Sequence, residues 1–272
     1  MSAEPNPFPI VDKLARECGV EWRALAEAAR QTISVEEKFL AAIQDEANQR
    51  GILGGRVLDP DSSLVVFGSF ARFEMVPGSD CDWTLLINGV VKNRHDLTRY
   101  WRTICVDYAA KHREQEGAKW AIRNAKIRLS RKLLYAAGLA FCFECDLNPP
   151  SIASGVDSRS SEPFIAAALE FANTPPLEHL AGFIDKFLVG EKRQKVSACI
   201  FGSYDRWLAL LGDEEKRLHL EKLDHAEAHE DTIFGHVRII GTEFAKGLKL
   251  LFFDRADDAD QIAKLSLEYV GF

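Results

Sequence analysis

The sequence predicts an α+β protein, with a small mixed β-sheet flanked by helices and then a helical C-terminal region. Three observations predict it. Two short apolar runs, at 64–67 and 82–87, are bounded by turn residues and read as strands. Apolar residues recur at helical spacing before them and through most of the chain after residue 94. A segment rich in Pro, Ser and Gly at 148–162 separates a mixed half from a helical one, so we expect domains at 1–150 and 151–272.

Residues 11–31 and 34–50 read as two helices. Ser34, Val35, Glu36 and Glu37 have the form of a capping box, and Phe39, Leu40, Ile43 and Ala47 make an apolar stripe. Gly51, Gly54 and Gly55 break the chain, and Asp59-Pro60-Asp61 turns it into the first strand. Gly68-Ser69 ends that strand, and Gly78-Ser79 leads into the second. Asn88-Gly89 is a hairpin signal before Val90-Val91. Further helices are expected at 94–115, 118–139, 163–172, 176–189, 193–211, 213–230, 232–253 and 258–270. Residues 141–147 can be read as a strand. Phe201-Gly202-Ser203-Tyr204 echoes Phe67-Gly68-Ser69-Phe70, but no paired aspartates follow it, which argues against a duplicated domain.

The composition narrows the class. A chain of 272 residues with 47% hydrophobic and 28% charged residues can bury a substantial core. No apolar run approaches the roughly 20 residues of a membrane helix, and the polar, proline-rich start lacks the pattern of a secretory signal. A cytoplasmic protein that does not enter the membrane is expected. The six cysteines, at 18, 81, 105, 142, 145 and 199, form no disulfide framework. The lone Cys142-x-x-Cys145 lacks the second pair of a structural zinc site, so buried free thiols are expected. Charge is uneven: residues 92–132 hold twelve Lys/Arg against four Asp/Glu, a surplus of eight. With a net charge of −7, the rest of the chain is at −15. A basic block in an acidic protein points to an anionic partner or to internal pairing.

The chemistry is concentrated at residues 64–87. Their skeleton is a strand, Gly68-Ser69, ten intervening residues, Asp80-x-Asp82 and a second strand. Gly68 lets the backbone approach a phosphate, and Ser69 offers a hydroxyl and an N–H. Asp80 and Asp82, two apart at a strand start, are expected to share a face, with Cys81 turned into the core. Paired carboxylates suit a hard divalent cation such as Mg²⁺ or Mn²⁺ that also binds substrate phosphates. Arg72 is a phosphate ligand or a partner for Glu74 or Asp80.

This segment resembles the signature of the DNA-polymerase-beta-type nucleotidyltransferase superfamily, carried by Gly68-Ser69, Arg72, Glu74, Pro77-Gly78-Ser79-Asp80 and Asp82. The likeness covers about 25 residues. Residues 99–102, 119–124 and 131–132 resemble the helical region of uncharacterised bacterial nucleotidyltransferase-like proteins. The resemblance implies Mg²⁺-dependent catalysis by Asp80 and Asp82, both metal ligands, and a third carboxylate on a later strand. Asp146 is the candidate for that third position, on one face of 141–147 with Glu144.

On 118–139, Ile122, Ala125, Leu129, Leu133 and Ala136 form an apolar stripe, and Lys119, Arg123 and Lys126 lie on a neighbouring face. Arg123, Lys126 or Arg131 can reach a triphosphate or an RNA-like substrate, or can pair with the acidic remainder. Trp120 can stack on a base or fill an interface. His225-x-x-x-His229 lacks a Glu directly after the first His, so it reads as a solvated face and not a zinc helix.

Three functions follow. One is an enzyme moving a nucleoside monophosphate from an NTP to a hydroxyl of a protein or small molecule, with Gly68, Ser69, Arg72, Arg123 and Lys126 binding nucleotide. Another is a non-catalytic regulatory module that kept the nucleotide site. The last is an RNA-binding protein that uses 92–132 as its nucleic-acid surface, against which the negative total charge counts.

Overall fold

The computed structural model describes residues 6–49, 62–66, 68–87, 119–148, 162–254 and 261–269. The chain begins with α1 (Pro9–Glu17) and α2 (Arg23–Gln49), followed by β1 (Ser62–Val66), a single-turn α3 (Gly68–Ala71) and β2 (Trp83–Ile87). A long rod comes next: α4 (Trp120–Lys126), a π-helical turn (Ile127–Arg131) and α5 (Lys132–Leu147). Then come α6 (Glu162–Asn173), α7 (Pro176–Phe187), α8 (Gly190–Gly212), α9 (Glu214–Lys222), α10 (Thr232–Phe252) and α11 (Gln261–Tyr269).

The expected mixed β-sheet core is overturned. Among the described residues the only sheet is a two-stranded antiparallel ladder, with Val66 opposite Trp83 and Ser62 opposite Ile87. The architecture is mostly helical. Residues 141–147, expected as a strand, continue α5 instead. The reason is periodicity: Leu133, Ala136, Ala140 and Phe143 are all buried and recur at intervals of three and four. The expected strand at 90–91 and helix at 94–115 lie outside the described residues, as does most of the boundary segment at 148–162.

The first two helices also divide differently from expectation. The break falls at Cys18–Trp22, not at Ser34. Gly19, at φ +67°, donates to Arg16 O and Val20 donates to Ala15 O, which is a Schellman ending. The capping box at Ser34 lies inside α2 and starts nothing. A cap is only needed where a helix begins, and α2 runs unbroken from Arg23 to Gln49, with the Thr32 hydroxyl satisfied within it on Ala28 O at 2.7 Å.

The core centres on α8 and α10, the most extensive helix pair. Tyr204, Trp207, Phe201 and Phe244 are fully buried there, each contributing about 1.5–3 kcal/mol by the usual burial scale. Gly247 on α10 makes the pair close: a Cβ there would lie 2.6 Å from Ile200 Cγ1. Phe201-Gly202-Ser203-Tyr204, the echo of the Gly68 motif, is plain α8 interior, with Ser203 Oγ donating to Cys199 O at 2.6 Å. α5 packs on α7, α1 packs on α7 and α8, and α2 packs on α8. The N-terminus of α1 has no local side-chain cap. Glu178 of α7 accepts from the Ile10 N–H at 2.7 Å and the Val11 N–H at 3.1 Å instead. Among the described residues no helix is long and apolar enough to cross a membrane.

Candidate functional site

β1 delivers the chain to Gly68, whose φ of +64° is a left-handed conformation that favours glycine. One helical turn follows. Glu74 N donates to Ser69 O at 2.9 Å, and Phe73, at φ +57°, ends the turn. Phe70 is buried and meets the Phe39 ring of α2 edge-on at 5.9 Å, which fixes the turn to the helical body. Beyond it, Met75 N donates to Thr32 Oγ1 at 3.0 Å. The next turn closes on itself, with Val76 N donating to Ser79 Oγ at 3.0 Å and Ser79 N to Val76 O at 2.9 Å.

Asp80, Cys81 and Asp82 follow in an exposed loop before β2. The two carboxylates therefore do not share a face by strand alternation, and Cys81 is exposed instead of turned into the core. The loop brings them together: both line one cavity of about 410 Å³ with Gly68 and Ser69. Asp82 lies so close to Gly68 that any Cβ there would overlap its carboxylate oxygen.

The opposite wall is helical. α4 contributes Lys119, Ile122, Arg123 and Lys126, and the π turn adds Ser130 and Arg131. α8 adds Leu208 and Leu211, and α9 adds Arg217 and Glu221. The lining holds six basic side chains, counting Arg72, against four acidic ones, so its charge suits a polyanion held with a cation. The pKa of Lys126 is lowered, first by desolvation, with Arg72 and Arg131 adding to the shift and Asp80 and Glu221 opposing it. Lys119 pairs with Glu221 at 3.2 Å.

Of the residues singled out in the sequence, Gly68, Ser69, Arg72, Asp80, Asp82, Arg123 and Lys126 meet in this cavity. Asp146 does not. It is exposed near the end of α5, where burial raises the thiol pKa values of Cys142 and Cys145 and the Asp146 charge adds to both shifts. Arg72 is the partner of Glu74: Nε meets Oε2 at 2.8 Å, with the carboxylate side chain only 2% exposed. The Tyr204 hydroxyl is buried close to Glu74 and Ser130. Trp120 is interface, not a base platform: its Nε1 donates to Leu223 O at 2.7 Å, and its ring packs on His225 and Phe234. Cys142 and Cys145 sit one turn apart on α5; desolvation pushes the Cys142 thiol up to about 11, yet the residue is exposed, and none of the five described cysteines is buried, against the expectation from sequence.

Arg217 and Glu221 were missed by sequence reasoning. They belong to α9, far along the chain, where three Glu are balanced by three Lys/Arg, and nothing local marks them. Arg217 Nη1 donates to Pro77 O at 2.8 Å, tying α9 to the loop that carries the aspartates.

Two carboxylates beside a cavity of about 410 Å³ fit a hard divalent ion, which keeps several water and phosphate ligands of its own. Among the described residues no group of three or more His, Cys, Asp or Glu side chains is placed to hold a metal. Comparison with protein-family models, curated proteins and solved structures finds no match to the chain in any of the three. The functional reading therefore rests on the chain's own residues.

Proposed function

We propose that the cavity binds a nucleoside triphosphate with Mg²⁺ or Mn²⁺, and that the chain transfers the nucleoside monophosphate to a hydroxyl of a protein or small-molecule acceptor. The observation behind this reading is the convergence of the Gly68-Ser69 turn, the Asp80/Asp82 pair and the basic face of α4 on one cavity of about 410 Å³. The order of these elements matches the nucleotidyltransferase signature that the segment resembles. Asp80 and Asp82 would hold the ion, which supplies charge neutralisation at the phosphates.

The roles of the protein groups follow from charge and position. Gly68 and Ser69 receive phosphate oxygens, and Arg123 and Lys126 offset the remaining charge. In the transfer, the acceptor oxygen bonds to the α-phosphorus and its proton passes to a carboxylate of the pair. The bond to the α,β-bridging oxygen breaks, and pyrophosphate leaves with that electron pair. We place this reaction in the cytoplasm, where NTPs and Mg²⁺ are available.

A second reading, nucleotide binding without transfer, is favoured by the position of Asp146, which is outside the cavity and so not the third carboxylate. RNA binding has less support: the described part of the basic block, 119–132, gives Lys119, Arg123, Lys126 and Arg131 to the cavity wall.

Incubation with each labelled NTP and Mg²⁺ or Mn²⁺ separates the first two readings. Pyrophosphate release that disappears in Asp80→Asn/Asp82→Asn supports transfer. Metal-dependent thermal stabilisation by NTP with no release supports the regulatory module. No stabilisation by any NTP ends both.

A further inference from the structure

Arg217 reaches the cavity from α9, 140 residues beyond the loop it touches. Its guanidinium lies against Gly78, and a Cβ on that residue would overlap Nη1. Nη1 is used on Pro77 O at 2.8 Å. Nε is buried and has no hydrogen-bond partner. In a guanidinium, Nε and Nη2 share the edge that faces away from Nη1, and that edge is the one that grips two oxygens of a phosphate side-on. Buried arginine N–H groups are nearly always satisfied. An orphan Nε on a cavity that already carries Gly68, Ser69, Asp80 and Asp82 therefore points to an acceptor supplied by a ligand.

We propose that Arg217 is a substrate-binding residue: its Nε–Nη2 edge takes two oxygens of the substrate's polyphosphate, while Nη1 holds the loop bearing Asp80 and Asp82 in place. This rests on the reading of the cavity as a polyphosphate site. It makes recognition depend on the C-terminal helices as well as on the Gly68–Asp82 motif. An isolated phosphate bound at Gly68-Ser69 would gain less from this arginine than a chain of phosphates spanning the cavity.

The test is calorimetric titration of the full chain with inorganic tripolyphosphate and with orthophosphate, both in Mg²⁺, using wild type, Arg217→Ala, Arg217→Lys and Gly78→Ala. Arg217→Ala is expected to weaken tripolyphosphate binding about ten- to hundredfold and to narrow its advantage over orthophosphate. Arg217→Lys, which keeps charge but loses the fork, should recover only a small part. Gly78→Ala displaces the guanidinium without changing charge and should act in the same direction, which keeps the test usable if Arg217→Ala does not fold. Wild-type binding with all three variants unchanged overturns the role of Arg217 and leaves the cavity reading intact. Full recovery by Arg217→Lys overturns the two-oxygen contact. No binding of Mg²⁺–tripolyphosphate by wild type overturns the proposal and the cavity reading together.

Discussion

The carboxylate of Asp82 stands where a side chain on Gly68 would have to go. A turn that needs a left-handed residue and an acid that closes over it are thus one unit, although fourteen positions separate them. Filling that space should disable the site without touching the helical core.

Gly68→Ala adds backbone strain of about 1–2 kcal/mol and pushes Asp82 aside. The expected outcome is a folded protein that loses most Mg²⁺-dependent thermal stabilisation by NTP. Differential scanning fluorimetry with and without Mg²⁺ measures it, and a full ligand shift in the variant would contradict the geometry.

Arg72 and Glu74 form a pair with side chains 15% and 2% exposed. Removing either partner strands the other, so Arg72→Ala and Glu74→Ala should each cost about 3–5 kcal/mol. The double variant Arg72→Ala/Glu74→Ala should cost much less than the sum of the two single changes. Urea unfolding of the four proteins gives the coupling energy; simple additivity would show that the pair does not act as a unit.

His179 carries the clearest pH dependence. Burial lowers its pKa, with Glu144 and Glu170 opposing, and its Nε2 is buried without a hydrogen-bond partner. The folded state therefore prefers the neutral ring. Its contribution is complete above the ordinary histidine value of 6.5 and is lost as pH falls through the lowered folded value. Unfolding free energy should drop as pH falls below the ordinary histidine value of 6.5, and His179→Phe should flatten that drop. Equal slopes in the two proteins would assign the effect to other histidines.

Gly247→Ala should destabilise the protein by about 1–3 kcal/mol. The new methyl meets Ile200 Cγ1 at 2.6 Å and the backbone of Ile200 at 3.1 Å, so α8 and α10 must separate. Thermal unfolding measures it. An unchanged melting temperature would mean that the pair yields freely.

Much of the helical half was legible because period and burial agree. The stripe through Leu129, Leu133, Ala136 and Ala140 is wholly buried, and the ends of α6 to α11 fall within a few residues of the pattern, apart from the irregular stretch after Lys222. The mixed sheet was misjudged because a run such as Phe141–Leu147 is apolar enough for either element when read alone, and it is the continuation of the buried stripe from Leu133 through Ala140 to Phe143, which packs on Phe252 at 5.8 Å, that decides for helix. At the site, Gly68, Ser69, Asp80 and Asp82 were readable because they are close in sequence. Arg217 was not, since its link to Pro77 crosses 140 residues and leaves no local trace.

Glu178 satisfies the first N–H groups of α1 from 168 residues away. During synthesis that bond has to wait for α7 to leave the ribosome, on the order of ten to thirty seconds after α1 at 5–20 residues per second. Until then Val11 and Leu14 lack the α7 and α8 surfaces that α1 packs on, and α1 is a marginal nine-residue helix. The beginning of the chain is thus among the last parts to become native. A nascent protein stalled before α7 would present that apolar face to chaperones or to other unfinished chains.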